Sequence, residues 1–182
     1  TSKSVHEVSL PICTELICYK NLLTQLPDLP VCSDLYCWSN QITQLPDLPA
    51  CVYLGCSENL LTQIQTSESN SEISLPTCVY LTCWDNQLTQ LPNLPVIALL
   101  NCAGNQLTQL PDLSVCWYLD CGENLLTQIQ TSELNSEVSL SVCVRLICGD
   151  NLLTQLPDLP VCTELSCWRN QLTQLPDLPV CT

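Results

Sequence analysis

Sixteen cysteines in 182 residues are the first candidates for chemistry in this chain. In a small secreted protein that density signals a disulfide framework, and elsewhere a metal cluster. Their spacing fits neither. They fall into two columns: Cys13, Cys32, Cys51, Cys78, Cys116, Cys143, Cys162 and Cys181, each followed five residues later by a member of the second, except that Cys102 follows Ile97 and Cys181 has no follower. The second column is Cys18, Cys37, Cys56, Cys83, Cys102, Cys121, Cys148 and Cys167. Five residues of extended chain cover roughly 16 Å, beyond the ~7 Å Cα limit for a disulfide. Bridges between neighbouring copies lie within reach, although parallel Cβ vectors make their geometry poor. Ile97 occupies a first-column place, which suits a buried apolar slot better than a metal ligand or an obligate bridge. The one histidine, His6, stands outside both columns, so no zinc-type ligand set forms. The expectation is of buried free thiols acting as small hydrophobes.

The remaining chemistry is sparse. A catalytic site needs converging titratable groups, and thiols facing a dry core with one flanking histidine do not supply one. We therefore expect no enzymatic activity, no cofactor and no metal. The formal charge is −14, with Lys3, Lys20, Arg145 and Arg169 the only basic residues. Without a basic stripe, nucleic acid is a poor partner. No apolar run approaches the roughly 18 residues of a membrane span.

The cysteines recur because the chain does. Asn21, Asn40, Asn59, Asn86, Asn105, Asn124, Asn151 and Asn170 mark eight copies. The domain expected is one solenoid over 1–182, with a flank at 1–12 and repeats of 19, 19, 27, 19, 19, 27, 19 and 19 residues over 13–180. Residues 181–182 begin a ninth copy, so a longer array is expected. The two long copies carry Ser/Glu-rich inserts, Ile64 to Ser74 and Ile129 to Ser139, expected to be solvated loops with docking or modification as the alternative.

One copy reads C-x-x-L-x-C-x-x-N-x-L-T-Q-L-P-x-L-P-V. Alternation of period two gives a short strand with positions 1, 4 and 6 turned inward, and the Asn turns the chain off it. Two prolines three apart exclude an α-helix from the LPDLP half, which should run extended or polyproline-like and bury its leucines. With apolar residues in place of the cysteines this is the pattern of a leucine-rich repeat. The LPDLP segment joined to LxCxxNQLTQ resembles the short bacterial repeats of the YopM and IpaH type of secreted effector. That resemblance implies a β-rich solenoid, formally grouped with the α/β leucine-rich repeat folds: one continuous parallel sheet on the concave side and a convex side with little or no helix. It also implies a scaffold without catalysis, since the ligase domain of the IpaH type lies outside its repeats.

Positions 2, 3, 5, 7 and 8 vary from copy to copy and point outward from the sheet. All nine aromatic residues lie there: Tyr19, Tyr36, Trp38, Tyr53, Tyr80, Trp84, Trp117, Tyr118 and Trp168. With Arg145 and Arg169 they are the expected partner-binding residues, because exposed Trp, Tyr and Arg on a rigid support make interface hot spots. Eight acids against three bases leave this face at −5, which favours a protein partner with a basic surface. The alternatives are neutral drift of unconstrained positions, and a structural protein that self-associates end to end into a fibre or appendage. Unpaired thiols suit a reducing compartment, such as cytoplasm or host cytosol after secretion, with the cell surface as the alternative. Thiol titration of the unreduced, denatured chain should find all sixteen cysteines free; a clearly smaller number would overturn the reading of the columns.

Overall fold

The computed structural model describes residues 9–64, 75–129 and 140–181. Eight three-residue strands follow one another: β1 (Glu15–Ile17), β2 (Asp34–Tyr36), β3 (Tyr53–Gly55), β4 (Tyr80–Thr82), β5 (Leu99–Asn101), β6 (Tyr118–Asp120), β7 (Arg145–Ile147) and β8 (Glu164–Ser166). They form a single sheet in chain order, every neighbouring pair parallel. The register sets each repeat position against itself, Leu16 opposite Leu35, Leu35 opposite Leu54, and so on to Leu146 opposite Leu165. Parallel neighbours need a return connection of a dozen residues or more, and the rest of each copy is that return. No helix occurs among the described residues.

Backbone bonding extends past the strands. The position-6 amide donates to the position-5 carbonyl of the next copy, as from Cys37 to Gly55 at 2.8 Å and from Cys56 to Thr82 at 2.8 Å. The position-8 amide does the same to the next position 7, Ser39 to Ser57 at 3.0 Å. On the return path Leu45 and Leu48 are buried while Pro49 is exposed. A tight turn ends each return: the Cys51 amide donates to the Leu48 carbonyl at 3.2 Å, and the Cys116 amide to Leu113 at 3.0 Å. The second turn contains Ser114 where the first has Pro49, so the turn does not depend on proline.

Between sheet and return lies one core. The position-4 leucines from Leu35 to Leu146, both thiol columns and the leucines of the return pack in a single cluster. Ile97 is wholly buried in its cysteine slot, as an apolar reading of that slot requires. Asn105 represents its column. Its Oδ1 accepts from the Leu88 amide at 2.9 Å, and its Nδ2 donates to the carbonyls of Cys83, Cys102 and Ala103 at 3.0, 3.1 and 3.1 Å. Two of those four partners belong to the preceding copy.

The sixteen cysteines are free, twelve of them buried. First-column thiols donate weakly to the carbonyl two residues on, as Cys116 does to Tyr118 at 3.0 Å. Withdrawal of water from the thiolate raises Cys116 to about 11 and Cys51, Cys78, Cys143 and Cys148 to about 12. The same cause, with neighbouring thiols adding to it, lifts Cys37, Cys56, Cys83, Cys102 and Cys121 well above the ordinary value. Among the described residues no group of three or more His, Cys, Asp or Glu could hold a metal ion.

Two outcomes follow from this packing. Asn105→Ala should cost about 3 kcal/mol in urea denaturation, because it strips several hydrogen bonds and leaves the buried Leu88 amide unpaired; a loss under about 1 kcal/mol would contradict the account. The thiols predict an alkaline limit. Unfolded thiols ionise near pH 8.5 to 9 while the folded ones hold their protons, so stability is full below that range and falls as pH rises toward the folded values. Each thiol removes about 1.4 kcal/mol per pH unit in that window, and the ten named act together against a typical total of about 5–15 kcal/mol. Circular dichroism should show cooperative unfolding near pH 10, coincident with thiolate absorbance.

Candidate functional site

Position 4 points into the core, so positions 3 and 5 of each three-residue strand face the other side of the sheet. Position 8 adds a local device. Lys20, Ser39, Glu58, Asp85, Glu123, Asp150 and Arg169 all have φ between 49° and 55°, and Gly104 has 63°. This left-handed residue turns the chain off the strand and presents its side chain beside position 7. Seven of the eight are not glycine, and six of those seven are charged.

All eleven side chains expected from the sequence stand on this outward side, and they separate into two groups. In the first, Tyr19 stacks on Trp38 with ring centres 4.3 Å apart and planes 12° apart, and Lys20 Nζ lies 4.8 Å from the Trp38 ring. Tyr36 meets Tyr53 at 4.8 Å, and Tyr53 meets Tyr80 at 6.0 Å, so three tyrosines cross β2 to β4 in a strip. Trp84, half-buried, stands beside them in the position-7 column. In the second group, Trp117 meets Tyr118 edge-on at 6.0 Å, and the Arg145 guanidinium lies 5.5 Å from the Tyr118 ring while its Nε pairs with Glu164 at 3.0 Å. Arg169 lies 5.2 Å from the Trp168 ring and pairs with Asp150 at 3.5 Å. Between the groups, the β5 copy presents Ala98, Leu99, Asn101, Ala103 and Gly104, with no aromatic or charge.

The titration shifts on this face are local. Burial raises the Asp120 carboxyl, with Glu123 adding and the Gly122 amide and Arg145 opposing. Burial also raises the Tyr118 and Tyr36 hydroxyls, the latter helped by Asp34.

Two residues of the face escaped the pattern. A Cβ on Gly149 would come within 2.5 Å of the Trp168 indole, so this glycine is the bed on which Trp168 lies. Ser57 occupies the same column between Trp38 and Trp84, is 1% exposed, and its Oγ has no hydrogen-bond partner. The signal for both is a small residue one copy before a tryptophan in the same column. The exposed Thr and Gln columns, from Thr24 and Gln25 onward, carry no comparable grouping. The docking role considered for the inserts falls on 65–74 and 130–139, outside the described residues.

No protein-family model matches this chain, and no curated protein matches it at a significant level. Solved structures do match. YopM from Yersinia enterocolitica WA-314 superposes with a TM-score of 0.78 at 29% identity, over 91% of this chain and 35% of its own. YopM of Yersinia pestis, a leucine-rich effector protein, gives 0.63 at 28% identity over 91% of this chain and 52% of its own. The functional domain of InlJ from Listeria monocytogenes, which includes a cysteine ladder, gives 0.63 at 31% identity over 88% of this chain and 40% of its own. This chain therefore spans about a third to a half of the proteins it matches. Helix-free repeats on one parallel sheet, columns of thiols inside it and these likenesses together make the chain a bacterial-type leucine-rich repeat solenoid resembling YopM.

Proposed function

We propose that the chain is a non-enzymatic recognition scaffold that binds a protein partner on the concave face of its sheet, through the aromatic and arginine side chains at the variable positions. The observation that carries the proposal is the left-handed column at position 8. An ordinary L-residue there costs on the order of 1–2 kcal/mol relative to glycine. Neutral drift under pressure for stability would collect glycine, asparagine or aspartate, as Gly104, Asp85 and Asp150 do, whereas four of the eight copies hold Lys, Glu or Arg. Side chains kept at that cost, on the same face as all nine aromatic residues, favour a surface under selection for contact. Rigid support adds to this, since Tyr and Trp on a preformed sheet lose little entropy on binding.

The test is differential. The triple change Trp38→Ala, Trp84→Ala and Trp168→Ala should cut binding of the captured partner to about a tenth or less while thermal melting stays cooperative; undiminished binding would overturn the proposal. Thr43→Ala with Thr108→Ala, in the exposed column off this face, should leave binding unchanged. A fibre-forming role predicts instead filaments in sedimentation velocity that survive the same replacements. Glu123→Gly should raise stability by about 1 kcal/mol in urea denaturation while weakening the partner. A destabilised Glu123→Gly would remove the argument from strain.

A further inference from the structure

The three basic side chains of this face, Lys20, Arg145 and Arg169, each lie on an aromatic ring of it, at 4.8, 5.5 and 5.2 Å. Rings set on this sheet thus accept cations in the ordinary cation–π geometry. In the β6–β8 half the chain's own arginines fill the rings, and Glu164 and Asp150 pair with them. The β2–β4 half differs. It holds Asp34, Glu58 and Asp85 and no basic residue of its own, the one cation on its rings being Lys20 of the copy before, over Trp38, and none of the three acids makes a salt bridge among the described residues. Among the described residues, Asp34 and Glu58 accept only from the hydroxyls of Ser33 and Ser39. Among the described residues no cation lies on the Tyr36, Tyr53 and Tyr80 strip.

A second observation marks the same place. Ser57 belongs to the outward column between Trp38 and Trp84, yet its Oγ is the one buried side-chain oxygen or nitrogen among the described residues without a hydrogen-bond partner. Both neighbours in that column are indoles and Ser57 is 1% exposed, so a group that reaches its Oγ must part the two rings and be flat, and the hydroxyl can accept a hydrogen bond from it. A guanidinium meets both conditions: it stacks on aromatic faces and carries five N–H donors. An ammonium offers charge without the flat face.

We propose that the β2–β4 half of the concave face seats an extended, arginine-bearing segment of the protein partner, its guanidinium groups lying on the tyrosine strip and between Trp38 and Trp84, paired with Asp34, Glu58 and Asp85. This rests on the concave-face reading and adds the chemistry of the partner and the half that receives it. Three strands at roughly 4.8 Å spacing are crossed by about three or four extended residues, so two arginines on alternate positions suffice.

The test needs no partner. A capped peptide of alternating glycine and arginine is titrated at physiological salt, and the four indole N–H signals, assigned by single replacements, are followed by NMR. Saturable shifts at Trp38 and Trp84, with Trp117 and Trp168 still, are expected. The same peptide with citrulline, which keeps the shape and loses the charge, should bind at least about tenfold more weakly, as should the arginine peptide to Tyr53→Leu with Tyr80→Leu, which leaves the net charge unaltered. A lysine peptide should fall between. Equal shifts at all four indoles, or equal binding of the citrulline peptide, would overturn the proposal, and the citrulline comparison holds on the unaltered chain even if the tyrosine variant fails to fold. The two readings fail separately: partner binding lost in the tryptophan triple variant with no peptide selectivity removes only this inference, whereas partner binding unchanged in that variant removes the concave face itself.

Discussion

Everything in this molecule depends on each copy finding its hydrogen-bond partners in the next. A three-residue strand cannot hold itself together, and a leucine at position 4 has nothing to bury against within its own 19 residues. The in-register parallel ladder solves the first problem and the stacked core the second, but the asparagine joins them. Asn105 ties its own strand to the preceding one through both ends of one side-chain amide, at a place where the chain leaves the sheet and ordinary ladder bonding stops. An aspartate would present oxygens to three carbonyls, and a leucine would leave them all unpaired. The invariance of this residue across the copies is a matter of donor and acceptor count.

The same stacking explains why cysteine suits the inward slots. Leucine at position 4 already fills the middle of each layer, and the slots on either side of it take a smaller apolar group. Cysteine fills them and, in the first column, offers a weak donor to the carbonyl two residues on. For the twelve buried thiols, what looked like a store of reactive groups is chemically quiet because of where it sits: burial holds the proton on the thiol and so withholds the thiolate that disulfide exchange and metal binding require.

The scaffold was legible because its constraints act column by column. Leu35, Leu54 and Leu81 recur at one position for one reason, and eight copies display that reason as plainly as an alignment would. The outward face was legible only as a set of residues. That Tyr19 would lie flat on Trp38, that Gly149 would bed Trp168, and that Ser57 would be enclosed between two tryptophan rows all depend on neighbours one copy away, and no periodicity within a copy encodes them. The left-handed turn at position 8 was hidden for a different reason. Sequence habits assign that conformation to glycine, asparagine or aspartate, and here lysine, glutamate and arginine adopt it as well.

The asparagine bonds also have a direction. Asn40 takes the Leu23 amide and gives to the Cys18 carbonyl, both in the copy before it, while among the described residues Asn21 bonds within its own copy, to Cys18 and Tyr19. A copy's backbone is therefore completed by the asparagine that follows it, never by the one that precedes it. On a ribosome, which delivers the chain from its N-terminal side, the newest copy is always unfinished until the next asparagine emerges. Synthesis would then assemble the solenoid in the order of translation, with a lag of one repeat.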